Sequence, residues 1–294
     1  MNEIYGIDPN IEIDIKDLHI LLKTFGLSEG RFIGAYPDNL WWSYLKENII
    51  KNDGFDESRL EILQKKYRDV VLPILHHYKI EKGTPKDWCE KASQIKAKEK
   101  AFTEIFSVKS NFYNGPTIDD LIVGEKYDPS LSRGGHIPST LESYIHAIKP
   151  LLLKSSEIHF VDKFFVPWSD TQAKERNRRL LLELIFKEAK KSNRCESIVF
   201  HLSEKHFMTD KEFDPTLEQR LVDSMTEIKL FAGFEELNFN CRIYEKMKHG
   251  RYIFSIKGGL QFDSGFDVNP KETNHVHWLG KSELDPLFDE YVET

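Results

Sequence analysis

The stretch Asn240–Lys257, NCRIYEKMKHGRYIFSIK, is a basic island in an acidic chain and carries the reading of the fold. Arg242, Lys246, Lys248, Arg251 and Lys257 stand there against the single acid Glu245. Its second half alternates as a strand does, with side chains on opposite faces at a period of two. Tyr252, Phe254 and Ile256 take one side, and Arg251, Ile253, Ser255 and Lys257 the other. His249 joins the second side if the strand begins before Arg251. An imidazole, a guanidinium, a hydroxyl and an ammonium then project from one face of a sheet. That set suits a phosphate: a guanidinium forks onto two oxygens, and an imidazole attacks phosphorus or passes a proton. The plain alternative is a hairpin with a solvated polar face.

Upstream, helices and strands alternate. Ser139–Lys154 is an amphipathic helix with Leu141, Tyr144, Ile145, Ile148, Leu151 and Leu152 on one face; Ser139 and Glu142 form its expected capping box. Then come a strand at Ile158–Val166, a helix at Thr171–Lys191 capped by Ser169, a strand at Ser197–Leu202, and a helix at Pro215–Phe231 capped by Asp214. The rest is strand-rich: Asn238–Glu245, Arg251–Lys257, Leu260–Phe262 after Gly258-Gly259, and His275–Leu279. This order predicts a mixed sheet with helical cover. Residues 11–110 read mostly as helices, chiefly Arg59–Tyr78 and Trp88–Phe106, and Gly and Pro interrupt residues 111–138. The expected class is α+β, with a mainly helical domain over 1–135 and a mixed-sheet α/β domain over 136–294.

Composition narrows the function. Forty per cent apolar and 12% aromatic residues supply a core, which excludes global disorder. The net charge of −7 is spread evenly, so any contact with a polyanion must come from a local patch. Three scattered cysteines, Cys89, Cys195 and Cys241, have no zinc spacing and read as buried small hydrophobes in a reducing compartment. The acidic N-terminus lacks the build of a signal peptide, and no apolar run is long enough to span a bilayer, so a cytoplasmic protein without membrane contact is expected. No P-loop, GxGxxG, GxSxG or HExxH occurs, and neither a cofactor nor a metal is expected. His275-x-His277 reads as paired surface histidines rather than a metal site. Lys174, Arg176, Arg178 and Arg179 form a basic helical face.

The succession of Ile158–Val166, a capped helix, Ser197–Leu202, a long helix and His249-Gly250-Arg251-Tyr252-Ile253-Phe254 resembles one half of the phospholipase D superfamily. Gly258–Asp267, GGLQFDSGFD, continues the likeness. The nearer resemblance is to divergent members such as the phospholipase-D-like domain at the C-terminus of some MIT proteins. The likeness covers roughly Ser139–Asp267. It implies a histidine nucleophile toward a phosphodiester, His249, and a phosphate-holding basic residue, Arg251. Ser255, Lys257 and Ser264 complete the expected phosphate-binding set. Arg251 stands where the family signature has lysine, and Ile256 where it has the supporting acid. Active members pair two motifs and this chain has one, so the resemblance implies a homodimer or a partner protein. Stand-alone bacterial proteins of this class often belong to antiviral or DNA-processing systems, which implies nucleic acid as the partner and a defence complex as a setting. Two functions follow: a metal-independent phosphodiesterase, most simply a nuclease, or a non-catalytic adaptor that holds an anionic partner with the same strand.

Overall fold

The computed structural model describes residues 2–37, 40–49, 56–73, 84–99, 101–109, 115–123 and 134–293, and the chain divides into two units, Asn2–Ser132 and Arg133–Thr294. The α+β class holds, and the first unit contains a sheet as well as helices. Its elements are β1 (Glu3–Ile7), α1 (Ile15–Lys23), β2 (Arg31–Ala35), α2 (Trp41–Asn48), α3 (Glu57–Val70), β3 (Val71–Pro73), α4 (Pro85–Glu99), β4 (Glu104–Phe106) and α5 (Ile118–Val123). The strands lie in the order β3-β2-β1-β4 and all pair in parallel. Leu18, Trp41, Leu45, Leu60 and Leu63 cover one face, over Tyr5, Ile7 and Ile33. Trp88, Ala92 and Ile95 cover the other, over Ile105.

Two expected helices therefore end early. α3 stops at Val70, where Val71 and Pro73 favour extended backbone, and α4 stops at Glu99 ahead of β4. Residues 74–78 of the first expected helix lie outside the described residues. At the carboxyl end of β1, Asp8 is buried, and its Oδ1 accepts from Asn10 N at 3.0 Å and Asn10 Nδ2 at 2.8 Å. Burial pushes this carboxyl up to about 6.

The second unit runs β5 (Gly134–Ser139), α6 (Leu141–Lys154), β6 (Glu157–Asp162), α7 (Gln172–Ser192), β7 (Ser197–Ser203), the small hairpin β8 (Met208–Thr209) and β9 (Glu212–Phe213), α8 (Pro215–Phe231), β10 (Asn238–Tyr244), β11 (Arg251–Ser255), β12 (Gly258–Phe262), β13 (Asn269–Leu279) and α9 (Lys281–Tyr291). Its seven-stranded sheet has the order β10-β7-β6-β11-β12-β13-β5. β10, β7 and β6 are parallel, and every pairing from β6 onward is antiparallel. β10 and β11 thus do not form a hairpin. They lie two strands apart, and residues 245–250 cross the carboxyl ends of β7 and β6 between them.

Two caps differ from expectation. Thr140, not Ser139, caps α6 by accepting from Ser143 N at 3.2 Å, because Ser139 is spent in β5. Thr171, not Ser169, caps α7 through Lys174 N. Asp214 caps α8 as expected. α9, unforeseen in the sequence, docks Leu284, Leu287 and Tyr291 on Val161, Phe254 and Leu279. Gly259 permits that approach: a Cβ there would stand 2.6 Å from Phe254 Cβ and 2.9 Å from Leu284 Cδ2. No helix among the described residues is long and apolar enough to cross a membrane.

Beneath α9 runs a chain of polar side chains centred on the buried His159 and His201. His159 Nε2 lies 3.2 Å from Glu157 Oε1, His159 Nδ1 lies 3.0 Å from His201 Nε2, and His201 Nδ1 lies 2.9 Å from the Tyr244 hydroxyl. Neutral tautomers satisfy every link with one polarity: His159 donates to Glu157, His201 to His159, and Tyr244 to His201. Burial is the leading cause that lowers both imidazoles, His201 to about 3, with nearby Arg242 adding to it. A histidine whose folded pKa is lowered binds fewer protons folded than unfolded, so its contribution is intact above the ordinary value and is lost as pH falls below about 6.5. The raised carboxyls Asp8 and Asp162 act in the opposite sense, which makes a difference measurement the clean one. His201→Gln should unfold more easily than the parent at pH 7.5. The gap should narrow toward pH 5, by about 1.4 kcal/mol per pH unit for one lowered imidazole. Urea melts of both proteins at those two pH values check it; a constant gap would show that His201 is not held neutral.

Candidate functional site

The groups singled out in the basic strand are split by the fold. Arg251 opens β11 and Ser255 closes it, so the two mark opposite ends of the strand. Ser255 is buried against the end of α6, its hydroxyl 2.8 Å from that of Ser155. Lys257 follows Ile256 in the turn between β11 and β12, where Ile256 is 84% exposed. Ile256 is therefore remote from Arg251 and His249. Ser264 lies at the Arg251 end of the sheet, in the loop after β12, and its backbone N donates to the buried Asn274 Oδ1 at 3.0 Å.

What gathers around Arg251 comes from β6. The register pairs Arg251 with Asp162, the last residue of that strand. Asp162 is buried, its Oδ1 accepts from Phe164 N at 2.8 Å, and Arg251 Nε lies 3.9 Å away. Arg251 also donates through Nη1 to the Asp263 carbonyl. Its guanidinium stands 5.5 Å from the centre of the Phe164 ring, and the His249 ring stands 5.6 Å from it, so guanidinium and imidazole converge on one aromatic side chain. His249 itself is exposed and makes no hydrogen bond or ion pair to a described residue.

The loop 263–267 is clamped over this corner. Asn274 Nδ2 donates to Gly265 O at 2.6 Å, the Tyr144 hydroxyl to Asp267 O at 3.1 Å, and Arg178 Nε to Asp267 Oδ1 at 3.0 Å. Arg178 also donates to Trp168 O at 3.1 Å, so this member of the basic face of α7 turns inward. Gly265 has φ +77°, and a Cβ there would lie 2.9 Å from Arg251 Nε. Only glycine combines that conformation with that proximity.

Burial pushes the Asp162 carboxyl up to about 6, and Asp267 adds to the rise, against the lowering pull of the Phe164 amide, Arg251 and Arg178. Burial likewise pushes the three thiols up to about 12, so none is a thiolate nucleophile near neutrality. His275 lies beside His136 across β13 and β5, ring centres 4.9 Å apart, and its Nδ1 is 3.6 Å from Asp263 Oδ2. Among the described residues no group of three or more His, Cys, Asp or Glu side chains is arranged to hold a metal ion.

The sequence reading did not single out Asp162 or Phe164. It placed both inside a strand running to Val166, whereas β6 ends at Asp162. The signal available was Asp162-Lys163, a charged pair that breaks an otherwise apolar run.

No family model matches the chain, and no curated protein does. Among solved structures, the chain is similar to TrmBL2, an archaeal chromatin protein described by a novel mode of DNA binding, at 16% identity and a TM-score of 0.29, over 70% of this chain and 64% of that one. It is similar also to the polyphosphate kinase of Porphyromonas gingivalis at 13% identity and a TM-score of 0.29, over 57% of this chain and 28% of that one. The chain thus spans less than two thirds of the length of either.

Asp162 tunes the charge at this corner. Burial raises its carboxyl to about 6, so the negative charge it sets beside Arg251 diminishes from neutral toward acid pH. Affinity for an anion should therefore rise from pH 7.5 to pH 5. In Asp162→Asn the rise should be smaller, any change due to other groups being common to both proteins. Titration with inorganic phosphate at the two pH values checks it, and identical pH dependence in both proteins would remove Asp162 from this role.

Proposed function

We propose that the second unit is a phospholipase-D-like module that engages the phosphodiester backbone of nucleic acid. The observation that carries this reading is the convergence of His249 and Arg251 on Phe164, at the sheet end where Asp162 backs the guanidinium. Arg251 is fixed from behind by Asp162 and Asp263, so its remaining N–H groups are oriented before an anion arrives. That lowers the ordering cost of a charge-assisted contact. His249 supplies a second donor, and Ser264 a hydroxyl at the rim of the same corner. Ser255 and Lys257 do not belong to it.

Binding rather than turnover is the function of the single chain. A nucleophilic imidazole needs a partner that fixes its tautomer and stabilises the imidazolium, and no described carboxylate reaches His249. Turnover would require a second histidine from another copy of the chain or from a partner protein of a defence complex. Hydrolysis by such a pair would need no divalent metal, because fixed cations would neutralise the developing phosphorane charge. The antiviral or DNA-processing setting rests on the sequence resemblance alone.

Arg251→Ala should weaken binding of short oligonucleotides by about 1.5–3 kcal/mol, the range for a hydrogen bond to a charged group. The loss should be much the same for different base sequences, since backbone contacts carry no base information. Titrations of parent and variant at two salt concentrations decide it, and equal affinities would end the phosphodiester reading. Incubation of labelled DNA and RNA in EDTA is the companion assay. No cleavage by the parent is expected; cleavage that His249→Ala abolishes would establish the enzyme instead.

A further inference from the structure

Phe164 stands exposed just after β6. It is 43% exposed, near the start of a loop whose other aromatic residues are packed more deeply. Phe165 is buried against Phe160 and Phe266. Trp168 meets Phe207 edge-on and carries the Arg220 guanidinium 4.9 Å from its ring centre. Phe164 is instead ringed by groups that suit an anion: the Arg251 guanidinium at 5.5 Å, the His249 ring at 5.6 Å and Lys163 Nζ at 5.8 Å from its centre. An apolar protein partner would have to strip water from these cations. A nucleotide meets both demands at once, with phosphate for the cations and a base face for the ring. Proteins that hold single strands combine the same two parts, a positive track for the backbone and aromatic rings on which bases stack. Bases in a duplex are stacked on one another and present no free face.

We infer that Phe164 is a base-stacking platform, and that the ligand of the Arg251 corner is single-stranded nucleic acid with an unstacked base beside the bound phosphate. The inference rests on the phosphodiester reading and narrows it to one substrate class. Sequence preference is weak, because every base offers a π-face. Asp162 positions the platform as well as the guanidinium, since the Phe164 amide donates to its carboxylate.

The test compares three fluorescent probes of equal length on the full chain: a mixed-sequence single strand, an abasic single strand and a duplex. The parent should bind the base-bearing single strand about 5- to 150-fold more tightly than the abasic strand, the range that one base–aromatic stack supplies. Phe164→Ala should lose that preference, binding base-bearing and abasic strands alike, while Phe164→Trp should retain it. Arg251→Ala should weaken binding to all three probes. Equal affinity of the parent for abasic and base-bearing strands would overturn the platform and leave the phosphodiester reading standing. Persistence of the preference in Phe164→Ala would also overturn it, by placing the base contact elsewhere. Failure of the parent to bind any probe would overturn both.

Discussion

The antiparallel pairing of β11 with β6 is the interaction on which the second unit depends. It joins a parallel half of the sheet, β10-β7-β6, to an antiparallel half, β11-β12-β13-β5. It also sets Arg251 opposite Asp162 at the end of the sheet where residues 245–250 cross. A buried carboxylate is costly in low dielectric unless it is paired and hydrogen-bonded. Here the Phe164 amide and two guanidinium groups reduce the cost, and the raised carboxyl shows that they do not cancel it. A one-residue slip in this pairing would turn Arg251 to the α9 face and leave Asp162 buried without its partner, so the polar corner enforces the register that the apolar alternation sets.

The same strand serves two polar systems without mixing them. Along β6, His159 and Val161 face α9, while Phe160 and Asp162 face the helices on the other side. The two histidines of the His159–His201–Tyr244 chain are thereby buried beneath α9 and hydrogen-bonded to each other. The Asp162 corner stands at the sheet end and meets solvent through Arg251 and His249. One strand thus separates a polar chain beneath α9 from a polar group open to solvent at the end of the sheet.

Much of this was legible in the sequence. The alternation Tyr252/Phe254 against Arg251/Ile253/Ser255 located β11, and capped amphipathic runs located α6, α7 and α8 to within a few residues. What could not be read was which strands are neighbours. Local periodicity says nothing of a partner some ninety positions away, so Arg251 was found and Asp162 was not. For the same reason Ser255 and Lys257, which share a strand face with Arg251, were placed with it although the strand's length keeps them apart. β3 and β4 were missed because a few apolar residues after a helix look like its last turn. Val71 and Pro73 were the sign to the contrary.

The outermost strand of the second sheet has a consequence for how the protein is made. β5 is the first described strand of its unit to leave the ribosome, yet among the described residues it pairs only with β13, more than a hundred positions later. Until β13 emerges, β5 has no partner in the sheet, and the edge it will cover does not exist. Translation proceeds at roughly 5–20 residues per second, so a segment with free backbone donors and acceptors waits several seconds for its mate. Gly134, Gly135 and Pro138 make it a poor strand for any other partner, because glycine weakens a strand and proline removes a ladder hydrogen bond. β5 can therefore take its place in the sheet only after β13 has been made.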